Sequence, residues 1–285
     1  MKIFISGITG TLGKTVSRML MARGIEIVGY SRDEQKQAAL EKAPLLTLYL
    51  GDVRDRDRVI EATRDVDLIM HFAANKMVDV LELNPEESIA TNLIGTMNIL
   101  HAQRLHGIER VVFSSTDKAV YPINVYGASK MLAEKLVLRN PNNVVCRYGN
   151  VLGSRGSALP MFVRSLRSKE PYVDVTDVDM TRFWTTVDRA ASFVISSALE
   201  ESGGLKIPQL QAAPVLSVIK SVADLLDIDT FEIDEVGIRP GEKIHECLMN
   251  TSESVTKQAV YSDDADAQMS LEDLETLVAE AMREL

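Results

Sequence analysis

VVFSSTDKAVYPINVYGASKMLAEKLVL, residues 111–138, is the stretch on which the reading of the chain turns. It opens as an apolar, β-branched run, breaks into a polar loop with Asp117 and Lys118 side by side, and resumes with helical periodicity carrying Tyr126 and Lys130. A Tyr and a Lys four residues apart share one helix face, about 6 Å apart along the axis. An ammonium so placed stabilises a phenolate and lowers a Tyr pKa from its reference of about 10, which makes Tyr126 a candidate base. Thr116 ends the apolar run, where its hydroxyl can hold a substrate alcohol against that Tyr. Y-x-x-x-K alone also describes an exposed Tyr beside a solvated Lys, so the surroundings decide.

Upstream, residues 2–6 read as a short buried strand and 9–24 as a helix ending at Gly24. Between them, Gly7, Gly10 and Gly13 form G-x-x-G-x-x-G, a spacing variant of the dinucleotide fingerprint in which the backbone approaches a pyrophosphate at a helix N-terminus. Gly7, Thr9, Gly10, Thr11, Leu12 and Gly13 are the candidate contacts of this turn. A P-loop is rejected, because Ile8 stands where its upstream Gly is required. The second strand, 25–30, ends at Ser31 and Arg32, where the adenosine ribose is read; Ser with Arg accepts a 2′-phosphate and points to NADP over NAD, with Lys36 as a further candidate. Arg32 pairing with the acids Asp33 or Glu34 is the plain alternative.

A third strand over 45–53 closes on Asp52 and Val53, placed for adenine recognition, with helix capping by Asp52 or Asp55 as the alternative. A fourth, 66–75, carries small Ala73 and Ala74 that let a cofactor pass, followed by Lys76 for the pyrophosphate; His71 within it reads as a core histidine. Residues 85–106 form one long helix opening on Pro85 and containing Asn92, a further cofactor candidate. Strand and helix alternate five times by residue 115, which predicts an α/β fold, a doubly wound parallel sheet with its ligand at the strand carboxyl ends.

Beyond residue 138, a sixth strand at 143–148 leads into a Gly-rich, Arg-bearing loop, and the pattern changes. Helices near 157–168 and 188–200, an extended 181–187 and an acidic terminal helix from about 270 suggest a dinucleotide-binding core over 1–156 and a smaller α/β substrate-binding region over 157–285, part of which returns to the core sheet. Arg155, Arg182 and Arg239 lie in irregular stretches and suggest either a diphosphate clamp or surface ion pairs.

The 285 residues, 46% of them hydrophobic, suffice for a sizeable core, and a net charge of −10 argues against a nucleic-acid partner. Cys146 and Cys247 lack metal-type spacing and suit free thiols in a reducing compartment. No apolar run approaches the roughly 18 residues that span a bilayer, and the N-terminus enters a strand directly, so a soluble cytoplasmic protein without metal or membrane attachment is expected.

Together, SSTDKAVYPINVYGASK, RYGNVLGSRGS, MTRFWTTVD and GIRPGEKIHE resemble the extended short-chain dehydrogenase/reductases that modify nucleotide sugars, and more narrowly the inverting UDP-N-acetylglucosamine 4,6-dehydratases. The resemblance runs in order from residue 1 to about 250; relatives usually extend several tens of residues further, and the tail here is short and acidic. It implies a Rossmann core, a tightly held and recycled NADP, a UDP-sugar substrate and a homo-oligomer, dimer or hexamer. It also implies Thr116, Asp117, Lys118, Tyr126 and Lys130 as catalytic residues, with substrate contacts near Asn150, Arg155, Arg182, Arg239 and Glu242. In the implied reaction Tyr126 removes the C4 hydroxyl proton as hydride passes from C4 to NADP, Asp117 and Lys118 act as acid and base for loss of water across C5 and C6, the hydride returns to C6, and reprotonation of C5 from the opposite face inverts that centre. A nucleotide-sugar 4-epimerase or 4-ketoreductase needs Tyr126 and Lys130 but no such pair, and a non-catalytic NADP-binding protein needs neither.

Overall fold

The computed structural model describes residues 1–253, 259–283 and 285. In the first half, strands β1 (Lys2–Ser6), β2 (Glu26–Ser31), β3 (Leu46–Leu50), β4 (Leu68–His71), β5 (Arg110–Thr116) and β6 (Val144–Tyr148) alternate with helices. In the second half are β7 (Asn150–Leu152), β8 (Tyr172–Val175), β9 (Thr181–Thr186), β10 (Gly204–Lys206), β11 (Ala212–Pro214), β12 (Glu232–Glu235), β13 (Cys247–Met249) and β14 (Val260–Tyr261). Seven of these form a parallel sheet in the order β10-β6-β5-β4-β1-β2-β3. The order reverses between β1 and β4, which opens a crevice at their carboxyl ends.

Both faces of the sheet are covered, which is why β1, β4, β5 and β6 are buried along most of their length and centre on apolar runs such as residues 3–5, 68–70, 111–113 and 144–146. On one face Val59, Ile99, Ala102, Ala133 and Val137 pack against Phe4, Ile69, Val111 and Phe113. On the other, Val16 and Leu20 of the helix Thr11–Met21 and Val194, Ile195 and Ala198 of the helix Val187–Leu199 pack against Ile3, Ile5 and Val112. The helix Val187–Leu199 and β10 thus belong to the central layers although they come from the second half of the chain. A third core forms around Leu159, Phe162, Trp184, Val218, Leu274 and Val278 in the remainder.

The expected single helix over 85–106 has a different interior. Pro85–Ser88 is α-helical, Ile89–Ile94 is a π-helix and Gly95–His106 is α-helical again, closing on Gly107 in the left-handed conformation (φ +66). His71 is a core residue: its ring nitrogens lie 2.6 Å from Ser6 Oγ and 3.0 Å from Thr96 Oγ1. Cys146 and Cys247 are free and buried. Among the described residues no helix is long and apolar enough to cross a membrane, and no cluster of His, Cys, Asp and Glu could hold a metal ion.

Candidate active site

Two adjoining cavities open at the carboxyl ends of the strands. The larger, about 430 Å³, is lined by the turn Gly7–Gly13 on one side and by Thr116, Lys118, Tyr126, Lys130 and Asn150 on the other. The smaller, about 230 Å³, is lined by Thr9, Ser31, Arg32, Lys36, Asp52, Val53 and Ala73, and shares Gly7, Gly10, Ala74 and Arg155 with the larger.

The glycine turn is folded so tightly that side chains would not fit. Gly7 has φ +73, and a Cβ there would lie 2.8 Å from Ala73 N; one on Gly13 would lie 2.4 Å from Gly7 O. Thr11 Oγ1 accepts from Arg155 N (3.0 Å), and the Arg155 guanidinium reaches Thr9 O (3.4 Å), so Arg155 sits over the turn. Lys76 donates to Ser154 Oγ (3.3 Å), and burial together with the Arg155 charge lowers its pKa. At the far end Ser31 Oγ accepts from Gln37 (3.0 Å), Lys36 pairs with Asp33, and Arg32 lies 3.6 Å from Asp52. Arg32 therefore pairs with the acid of the neighbouring strand end, not with Asp33 or Glu34. Asp52 is not a helix cap; Asp55 caps Arg56–Ala62. Burial opposes the Asp52 charge, but hydrogen bonds from Arg54 and the two guanidiniums outweigh it and hold the carboxyl below its usual range.

The helix Val125–Val137 carries Tyr126 and Lys130 and starts at Asn124, whose side chain accepts from Gly127 N at 2.6 Å. Its first turn packs hard against the Asp117–Ala119 turn: a Cβ on Gly127 would lie 2.1 Å from Lys118 O. Thr116 Oγ1 donates to Asp117 Oδ1 (3.0 Å), and Lys118 Nζ reaches Asp117 Oδ1 (3.1 Å) and Asn150 Oδ1 (3.2 Å). Asp117 is fully buried beneath Lys118 and lines neither cavity, so it meets a ligand through Thr116 and Lys118.

Burial dominates the titration of this group. It pushes Tyr126 up to about 12, against the Lys118 charge and a hydrogen bond from Thr116. It pushes Lys130 down to about 7. The phenol lowered by Lys130 that the sequence spacing suggests is therefore not found in the protein alone: the cation that opposes burial at Tyr126 is Lys118, while Lys130 lies with its Nζ 4.0 Å from the centre of the Phe113 ring. Asp117 is raised, chiefly by burial.

Other expected residues lie apart from the cavities. Asn92 faces Asn75, accepting from its N–H (2.8 Å) and donating to its carbonyl (2.9 Å) and to Ser129 Oγ (3.0 Å). The buried Arg182 donates to the carbonyls of Thr181, Ile244 and Lys243. Glu242 accepts from Thr176 (2.9 Å), and Arg239 is exposed. Two groups were not anticipated. Glu246, 2% exposed, places Oε1 3.1 Å from Lys118 Nζ. Arg147 joins Glu134 and Glu253 in a buried ion triad. The signal for Glu246 was an acid at the entry to the apolar run Cys247–Leu248; such an acid needs a cation once buried.

The family model described as polysaccharide biosynthesis protein matches residues 3–264. The chain is 38% identical over 267 residues to a UDP-N-acetylglucosamine 4,6-dehydratase (inverting) of Campylobacter jejuni, covering 88% of this chain and 78% of that protein. It is 37% identical over 268 residues to a UDP-glucose 4-epimerase of Rickettsia conorii, with the same coverage of 88% and 78%. Among solved structures it superimposes on Pen from Bacillus thuringiensis with a TM-score of 0.91 at 30% identity, over 100% of this chain and 98% of that one.

Proposed function

The chain belongs to the polysaccharide biosynthesis protein family, and from that premise we propose that it is an NADP-dependent UDP-N-acetylglucosamine 4,6-dehydratase that inverts C5, supplying a UDP-2-acetamido-2,6-dideoxy-4-hexulose for surface polysaccharide or glycan synthesis. The observation that carries this reading is the meeting of Tyr126, Lys130, Thr116 and Lys118 on one cavity, with Asp117 bonded beneath. The first three suffice for redox chemistry at C4; the acid/base pair is what elimination of water adds. The glycine turn fits a dinucleotide, since added Cβ atoms would collide within it and it opens the helix Thr11–Met21 beside the cations Lys76 and Arg155. A bound nicotinamide supplies the hydride acceptor and donor. Tyr126 takes the C4 hydroxyl proton, and Asp117 and Lys118 divide between them removal of the C5 proton and protonation of the leaving C6 hydroxyl. Arg32 and Lys36 support NADP over NAD by offering cations to a 2′-phosphate in the smaller cavity. We place the enzyme in the cytoplasm, consistent with its free cysteines, as a homo-oligomer.

Incubation with UDP-N-acetylglucosamine in deuterated water, without added reductant, is expected to give a product lighter by one water and labelled at C5. Lys118→Ala should retain cofactor and lose dehydration by about 10²–10⁴-fold. A product of unchanged mass would instead identify a 4-epimerase, the reading favoured by the rickettsial relative. Arg32→Ala should weaken NADP binding by about 10–100-fold, the worth of a charge-assisted hydrogen bond, and leave NAD binding unchanged; equal effects on both would remove the 2′-phosphate assignment.

A further inference from the structure

Lys118 is held by three acceptors. Its Nζ lies 3.1 Å from Asp117 Oδ1, 3.1 Å from Glu246 Oε1 and 3.2 Å from Asn150 Oδ1. Two of the ammonium's N–H bonds go to Asp117 and Asn150 as hydrogen bonds, and Glu246 meets the same cation as an ion pair. Two carboxylates thus flank one cation, and both are buried, Asp117 at 0% and Glu246 at 2% exposure. Each also keeps one buried oxygen without a hydrogen bond, Asp117 Oδ2 and Glu246 Oε2.

The surroundings of the two acids differ. Glu246 has Lys118 on one oxygen and Lys243 Nζ 3.6 Å from the other, with the Arg182 guanidinium fixed beside it on the carbonyls of Lys243 and Ile244. Lys243 is itself anchored on Val120 O at 2.8 Å. The Glu246 backbone N–H donates to Ser262 Oγ (2.8 Å) and its carbonyl accepts from Ser262 N (2.8 Å), so the acid is braced from β14's end of the chain. Among the described residues Asp117 has one cation in contact, Lys118, which it shares with Glu246; Arg182 acts on it from further off, and the Tyr126 phenol and the donating hydroxyl of Thr116 stand beside it.

We propose that Glu246 is a positioning residue that takes up the charge of Lys118 and thereby keeps Asp117 in its protonated form, so that the Asp117–Lys118 pair holds one proton more than a simple ion pair. The inference rests on the dehydratase reading and deepens it. Elimination needs a proton for the C6 hydroxyl as the C6–O bond breaks and a place for the C5 proton as the C5–H bond breaks. A pair that starts with the extra proton gives it to the departing hydroxyl, which leaves as water, and is refilled by the C5 proton, with no net change. The directions of titration agree: burial raises Asp117, while Glu246 is lowered by Lys118, Arg182 and Lys243 against its own burial.

Infrared spectroscopy of the holoenzyme tests the protonation state without substrate. A protonated-carboxyl band at neutral pH is expected in the wild type, lost in Asp117→Asn and lost in Glu246→Gln. Its absence from the wild type would overturn the proposal whatever the protein turns over. In turnover, Glu246→Gln should keep C4 oxidation, read as reduced-nicotinamide absorbance, while the alkaline limb of the dehydration rate moves down by about 1–3 pH units, the size of a neighbouring charge. Lys243→Gln should move that limb the opposite way, which gives a second variant if Glu246→Gln does not fold. Limbs that stay in place, or equal loss of both half-reactions, would leave Glu246 a structural residue only. Failure of the wild type to release water overturns the dehydratase reading separately.

Discussion

Lys130 shows what the site costs the fold. Its side chain is 3% exposed, and burial takes its pKa from 10.5 down to about 7. Between those values the unfolded chain holds a proton that the folded chain has released, so stability rises with pH across that window, and below about 7 the full cost of a buried ammonium falls on the folded state. Glu134 recovers a part of it through its charge. Lys130→Met keeps the length and removes the charge, so it is expected to stabilise the protein at pH 7 by a few kcal/mol, on the order of 1–4 as for other buried charges replaced by apolar groups, while turnover is lost. The advantage should shrink as pH rises from 7 toward 10.5. Urea denaturation at several pH values measures both, and a variant less stable than the wild type at pH 7 would mean that Lys130 gains more from its surroundings than burial takes away.

At the scale of elements, the π-helical segment Ile89–Ile94 is the feature that the sequence concealed. Residues 89–94 contain no Gly or Pro, and 85–106 read as one helix in spite of Gly95, which follows the wider turn; that turn coincides with Asn92 bonding both backbone groups of Asn75, a contact across 17 residues that no local pattern encodes. By contrast β1, β4, β5 and β6 were legible because burial on both faces forces apolar runs, while Glu232–Glu235, exposed throughout, and the three-residue β10 carry no such mark. The same division holds at the site. Tyr126 and Lys130 share a helix face by spacing alone, whereas Glu246 and Asn92 reach their partners only through tertiary packing. Asn92→Ala strips the Asn75 N–H and carbonyl and Ser129 of partners at once and should cost about 2–4 kcal/mol. Because Asn75 lines the smaller cavity, cofactor affinity should fall with it. Thermal melts with and without cofactor read both effects, and an unchanged cofactor-induced shift would separate Asn75 from binding.

Across the whole molecule, the two halves of the chain are joined by charge as well as by apolar packing. Arg147, on β6 of the central sheet, donates to Glu134 on the Tyr126 helix (2.6 Å), to Glu253 (2.6 Å) and to Leu248 O (3.2 Å). One buried guanidinium thereby fixes the sheet, the helix that carries Tyr126 and the segment that follows Glu246. Glu134 also accepts from Ser115 Oγ at 2.5 Å, next to Thr116, so a disturbance of Arg147 reaches the site from two sides. Removing one member of a buried ion group leaves its partners charged and unpaired, at a cost of about 3–5 kcal/mol. Arg147→Met should therefore destabilise by that amount, and more than Glu253→Gln, because Glu253 is 18% exposed and water can replace part of what it loses. Burial opposes the Glu253 charge, but Arg147 wins and holds its carboxyl below the ordinary value, so its contribution is full above that value and is lost as pH falls through the lowered one. The stability gap between wild type and Glu253→Gln should accordingly close on acidification. Denaturation curves of both variants over a pH series, with dehydration measured alongside, test the linkage, and a variant that lost stability yet kept full activity would show that Arg147 holds the halves together without setting the site.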